Sequence, residues 1–169
     1  MSRKPFLIWL TLLLPPQAWS EPVDEYAVKA AFLYNFSAFT EWPASIGSQL
    51  NLCIYGRDVF GQKLDKLNGK KIGNRSLAVQ RDLHLENAHQ CQVVFISANK
   101  ADEADLVLEA IGKAPVLTIG DSDDLARQGV IINMQLADNK VTFDINNTSA
   151  KRAGLTLSSK LLQLATTLY

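Results

Sequence analysis

Few side chains in this sequence have the types and spacing that support chemistry, and their scarcity is informative. There are two cysteines, Cys53 and Cys91, and two histidines, His84 and His89. The histidines flank Glu86 in a His-x-Glu-x-x-His stretch that supplies three metal-ligand types. A spacing of five, however, does not bring two imidazoles onto one helical face as a spacing of four would, and no fourth ligand is evident. Solvated surface histidines are therefore expected, and no metal site is assigned. Ser97 and Asp121 follow apolar runs that read as strands, and the carboxyl ends of strands are where open α/β sheets bind ligands. No glycine-rich phosphate loop accompanies them: Gly56 and Gly61 are not followed by Lys-Ser/Thr, and Gly-x-Gly-x-x-Gly is absent. Asp121, Asp123 and Asp124 are explained by the dipole of a short helix start. A hydrolytic triad would need a histidine from a polar, loop-like stretch. No catalytic residue and no cofactor is expected.

The two cysteines raise a different question, compartment. Arg3 and Lys4, the apolar run Phe6 to Leu14, the Pro15-Pro16 break and the small-x-small triplet Ala18-Trp19-Ser20 make a secretory signal peptide, cut after about Ser20. Nine apolar residues at about 1.5 Å each cannot cross a hydrocarbon core of roughly 30 Å. Residues 1–20 are thus assigned to the leader and 21–169 to one exported domain. Removing Arg3 and Lys4 leaves 15 basic against 17 acidic residues, which gives no electrostatic case for nucleic acid. In an oxidising compartment two thiols tend to pair, closing a loop of 38 residues. The alternative is two buried free cysteines acting as small apolar residues. A redox-catalytic Cys-x-x-Cys is absent.

The elements that must position these groups follow from hydrophobic periodicity. Tyr26 to Phe39 reads as a helix that is apolar almost all round, with Val28, Phe32, Phe36 and Phe39 in helical register. Pro43 ends it by disfavouring helix at Trp42. Leu50–Tyr55, Ser76–Leu83, Gln92–Ser97 and Val116–Ile119 read as strands. Val59–Leu67, capped by Asp58, and Ala101–Ile111 read as crossover helices. Asp123–Gln128 gives a helical turn or two closed by Gly129. Val130–Leu136 and Lys140–Ile145 form a hairpin across Ala137-Asp138-Asn139. Asn146 to Tyr169 reads as a final helical region, interrupted near Gly154 and capped by Asn147 or Thr148, with Leu157, Leu161, Leu164, Ala165 and Leu168 in one inward stripe. The order implies an α/β fold: a single-domain sandwich whose mixed, mainly parallel sheet is flanked by helices and followed by a late β-hairpin. The aromatic first helix, Trp42 and the leucines of the last helix exceed what one small sheet needs. Phe32, Phe36, Phe39, Trp42 and Leu157 are therefore the expected partner-binding residues, on a face for another protein or a second copy. The alternative is that both helices only complete the core, leaving a periplasmic small-molecule-binding receptor as the other functional reading.

Four segments together resemble the YfiR family: Tyr-Asn-Phe-Ser-Ala-Phe-Thr-Glu-Trp-Pro (Tyr34 to Pro43), Leu-Cys-Ile-Tyr-Gly (Leu52 to Gly56), Cys-Gln-Val-Val-Phe-Ile-Ser (Cys91 to Ser97) and Gly-Leu-Thr-Leu-Ser-Ser-Lys-Leu-Leu-Gln-Leu-Ala (Gly154 to Ala165). The resemblance implies a periplasmic regulator rather than an enzyme. Its expected partner is the periplasmic sensor domain of a membrane-bound diguanylate cyclase, YfiN-like, which it holds inactive, lowering cyclic di-GMP and biofilm formation. An outer-membrane lipoprotein, YfiB-like, is the expected sequestering partner, and a homodimer is implied. It also implies an α/β sandwich and a disulfide between Cys53 and Cys91. The later cysteine pair of some members is missing, since nothing after Cys91 is cysteine.

Overall fold

Seven strands form one sheet in the order β3-β4-β2-β5-β6-β7-β8, as seen in a computed structural model that describes residues 24–169. The leader assigned to 1–20 lies outside the described residues. The strands are β2 (Gln49–Tyr55), β3 (Lys71–Ile72), β4 (Arg75–Gln80), β5 (Val93–Ile96), β6 (Leu117–Gly120), β7 (Ile132–Ala137) and β8 (Lys140–Ile145). The central neighbours β4, β2, β5, β6 and β7 run parallel, and the β3–β4 and β7–β8 pairs are antiparallel. The mixed, mainly parallel sheet with its late hairpin is thus the expected one. The inner strands β2, β5 and β6 are mostly apolar and buried because both faces are covered. Leu50, Leu52, Ile54, Val93, Phe95, Leu117 and Ile119 face one core. Cys53, Tyr55, Val94 and Ile96 face the other.

The first core is roofed by α1 (Glu25–Ala38), and α3 (Ala104–Ile111) roofs the second. Asp24 caps α1 by accepting from the Ala27 N–H at 3.2 Å. α1 lies between α2 (Gln62–Asp65) and β8. Its C-terminus runs into β1 (Thr40–Glu41), which pairs antiparallel with β9 (Thr156–Leu157), Thr40 opposite Leu157. The polar groups buried there are satisfied locally: Ser37 Oγ donates to the Leu33 carbonyl and Thr40 Oγ1 to that of Phe36, each at 2.7 Å.

Three sequence expectations need correction. The helix over Val59–Leu67 shrinks to Gln62–Asp65, because Asp58 Oδ1 accepts from the Phe60 and Gly61 N–H groups and Gly61 adopts φ +53°, which holds the start in a turn. Ala101–Ile111 begins as a 3-10 segment, Ala98–Glu103, before α3. The final helix is three pieces: α4 (Asn147–Arg152), β9 and α5 (Ser159–Leu164). Its cap is Asn146, whose side chain accepts from the Ser149 N–H, one residue before the expected cap. The single leucine stripe dissolves accordingly: Leu157 and Leu161 are buried, whereas Leu164 and Leu168 are 62% and 53% exposed. The last residues run beside β8 instead, with Thr166 N–H donating to the Phe143 carbonyl and Tyr169 N–H to that of Ile145. They cover backbone groups that the edge of a sheet would otherwise leave unpaired.

Candidate functional site

The aromatic residues singled out in the sequence converge around the C-terminal half of α1. Phe32 stacks on Phe36 with ring centres 5.3 Å apart, and Phe143 of β8 meets both edge-on at 5.5 and 4.9 Å. Phe39 caps α1, donating its N–H to the Asn35 carbonyl. Lys160 of α5 lies with Nζ 5.5 Å from the Phe39 ring centre. Trp42 folds back so that its indole N–H donates to the Ser37 carbonyl at 3.2 Å, leaving the ring half-buried. Phe36 and Leu157 are 0% and 4% exposed, which makes them core residues that shape this face from beneath. Phe32, Phe39 and Trp42 are half-buried and present area to solvent. Leu164 joins the exposed apolar set. It stands four residues after Lys160 and so on the same face of α5. Periodicity missed it because the helical stripe counted it inward.

At the carboxyl ends of the strands the groups are engaged in structure. Ser97 Oγ donates to the Arg57 carbonyl at 2.6 Å. Asp121 is tied to α1: Lys29 Nζ lies 3.2 Å from Asp121 Oδ2 and 2.5 Å from Glu25 Oε1, with the Lys29 and Asp121 side chains only 4% and 2% exposed. Burial pushes the Asp121 carboxyl above the ordinary aspartate range, against the lowering charge and hydrogen bond of Lys29. Burial also works to lower the Lys29 ammonium. The hydrogen bond with Glu25 and the charge of Asp121 outweigh it, so its pKa stands above the usual lysine value. In the sequence Lys29 is one polar residue in an otherwise largely apolar helix. Its partner is 92 residues away, and no local pattern announces the pairing.

Cys53 and Cys91 form a disulfide with sulfurs 2.02 Å apart and Cα atoms 6.1 Å apart. It ties β2 to the turn entering its neighbour β5, inside the core under α3. His84, Glu86 and His89 are all exposed. Among the described residues no group of three His, Cys, Asp or Glu side chains is placed to hold a metal ion. A cavity of about 500 Å³ opens between α3 and α4, lined by Leu108, Ile111, Val116, Gln128, Ile131 and Arg152 among others. Arg152 is held there by donating to Ser149 Oγ at 3.0 Å. No helix among the described residues is long and apolar enough to cross a membrane.

A family model described as YfiR/HmsC-like, DUF4154, matches residues 26–166. The chain belongs to the YfiR/HmsC-like family. That family is one of periplasmic regulators in cyclic di-GMP signalling. The fold is also similar to solved structures of low sequence identity. One is a conserved domain protein from Vibrio cholerae O1 biovar El Tor strain N16961, at 11% identity and TM-score 0.56, covering 86% of this chain and 60% of that one. Another is an ABC domain in complex with L-Trp from Streptococcus pneumoniae, at 7% identity and TM-score 0.56, covering 85% and 60%. This YfiR/HmsC-like chain spans about 60% of the length of each, and at these identities the likeness is one of fold alone.

Proposed function

We propose that the protein is an inhibitory binding module of the periplasm. It holds the sensor domain of a membrane-bound, YfiN-like diguanylate cyclase in its inactive conformation, which lowers cyclic di-GMP and biofilm formation. The observation that carries this reading is the aromatic face of Phe32, Phe39 and Trp42 around the end of α1, rimmed by Lys160. Aromatic side chains with an apolar body and few rotatable bonds are what interface centres favour. Inhibition then needs no chemistry, only unequal affinity for two conformations of the partner. A difference of about 3 kcal/mol gives on the order of 150-fold coupling. A YfiB-like outer-membrane lipoprotein would relieve inhibition by competing for the module, and a second copy of the chain could occupy the same face as a homodimer.

Deleting the gene is expected to raise cyclic di-GMP, and restoring it with a Phe39→Ala, Trp42→Ala double variant is expected to leave it raised although the variant stays folded. Unchanged cyclic di-GMP in the deletion strain overturns the proposal. One observation favours a second reading, a periplasmic small-molecule receptor: the cavity beside Arg152, with apolar walls and a guanidinium, has the make-up of a site for an organic anion. A melting-temperature screen against metabolites separates the two, since a receptor gains stability with ligand concentration.

A further inference from the structure

The flank of α1 away from the aromatic face carries a second feature. There a groove of about 460 Å³ runs between α1 and α2. On the α1 side it is lined by Ala27, Ala30, Ala31, Asn35 and Tyr34, Leu67 lies buried among its lining, and its opposite wall carries Lys63, Lys66 and Lys70. Of these lysines only Lys63 meets a carboxylate among the described residues, Asp24 at 3.3 Å, and both of those side chains are substantially exposed. Among the described residues Lys66 and Lys70 have no carboxylate within ion-pair distance. The neighbouring Asp65 is already taken by Arg81 at 2.8 Å. Lys70 Nζ instead lies 4.9 Å from the Tyr34 ring centre, while the Tyr34 hydroxyl is fixed by donating to the Lys71 carbonyl at 2.8 Å.

We infer that this groove binds a short acidic peptide segment of a protein partner, its backbone lying along the α1 side and its carboxylates meeting Lys63, Lys66 and Lys70. Three cations on one wall are not explained by bulk composition, because the chain as a whole is neutral. The three small alanines on the α1 side admit a chain close to the helix, and long lysine stems can line a wall while their ammonium groups stay at the rim. From Ala27 to Tyr34 the groove is about 10 Å long at 1.5 Å per helical residue, which matches three or four residues of extended peptide. A recessed groove suits a narrow chain better than a flat lipid surface. Its cations are all lysines, with none of the arginine forks that mark phosphate recognition. The inference does not depend on the aromatic face or on a cyclase as partner.

The test uses the full secreted chain and a blocked peptide of alternating glutamate and alanine, roughly eight residues long so that it overhangs the groove. Amide shifts followed by NMR during titration are expected to move together over 27–35 and 63–70. Raising sodium chloride from about 50 to 300 mM should weaken the binding severalfold, because the Debye length shortens. A Lys63→Glu, Lys66→Glu, Lys70→Glu variant is expected to lose the binding by tenfold or more. A Lys→Gln triple variant gives the same reading should charge reversal disturb folding. Unchanged affinity in the triple variants overturns the inference. So do shifts spread over lysines elsewhere. Binding to anionic vesicles or polyphosphate without binding to the glutamate peptide overturns it as well.

Discussion

Breaking the Cys53–Cys91 crosslink is the perturbation whose size is set most directly by the chain. The bond closes a loop with a sequence separation of 38 and joins two neighbouring strands of the sheet. In the loop-closure treatment its stabilisation comes from restricting the unfolded chain, and for this separation it amounts to about 4 kcal/mol at 25 °C. For a domain of this size that corresponds to a fall in melting temperature of about 8–16 °C. Reduction of the wild-type chain isolates this effect, because both thiols stay in place as small buried groups; Cys53 and Cys91 are 0% and 2% exposed. The Cys53→Ala, Cys91→Ala variant should lose about 1 kcal/mol more per deleted sulfur, since each leaves a void in a packed core. The assay is urea unfolding of oxidised, reduced and double-alanine protein followed by circular dichroism. The dependence on urea should steepen when the crosslink is absent, because the unfolded chain then exposes more surface. A loss below about 1 kcal/mol on reduction, with the urea dependence unchanged, would refute the loop-closure reasoning. Recovery of two alkylatable thiols from the protein isolated under native conditions would refute the bond itself.

Three further outcomes are expected. Lys29→Met leaves Asp121 buried without its counter-charge and should cost on the order of 3 kcal/mol in denaturant unfolding, with part recovered in Lys29→Met, Asp121→Leu; equal losses in the single and double variants would refute an ionic tie. Burial, with help from the hydrogen bond to Glu103, pushes Tyr55 up to about 12, so a phenolate absorbance step near 295 nm should appear only near that pH and be missing in Tyr55→Phe. Because its folded value is raised above the unfolded 10.0, its contribution to stability is complete below that pH and is lost as pH climbs through about 12. Glu103→Gln should bring the value only part of the way back, since burial is the larger cause. Gly56→Ala should cost about 2 kcal/mol or more, because φ is +94° there and a Cβ would sit 2.8 Å from Asn99 Oδ1 and Lys100 Cγ; an unchanged melting temperature would count against that packing.

The middle of the sheet was legible because β2, β5 and β6 are largely buried on both sides and so read as apolar runs whatever their neighbours do. Leu52–Tyr55 and Val93–Ile96 announce themselves for that reason, as does the hairpin around Asp138 and Asn139, both of which take positive φ. The C-terminal segment misled for an equally physical reason. Leu157, Leu161, Leu164 and Leu168 satisfy a helical period, yet Gly154 at φ +70° ends α4, and Leu155-Thr156-Leu157 then finds an unpaired edge at Thr40 and Glu41. Ser158 restarts a helix by accepting from the Leu161 N–H at 3.2 Å. The alternating Leu-Thr-Leu and the serine cap were visible signals. The distant strand that made pairing preferable to helix was not. The same distance hid the Lys29–Asp121 tie. The aromatic face was half legible: composition flagged the residues, and packing decided that Phe36 and Leu157 go inward while Phe32, Phe39 and Trp42 keep a solvent side.

The two cores place the crosslink and the aromatic face around α1 on opposite sides of one sheet. Cys53 and Cys91 belong to the core under α3, whereas Phe32, Phe36, Phe39 and Phe143 pack in or against the core under α1. Strand β2 is the element they share, with Leu52 and Ile54 facing one core and Cys53 the other. A crosslink that acts mainly on the unfolded state leaves the folded geometry of the far face in place. The reduced chain, studied well below its lowered melting point, should therefore bind a partner at Phe39 and Trp42 with undiminished affinity. Loss of stability and loss of contact would then be separable by choice of substitution: the cysteines for the first, the two half-buried aromatics for the second. A reduced chain that melts cooperatively yet no longer binds would contradict this division and would require that the crosslink shape the α1 side through β2.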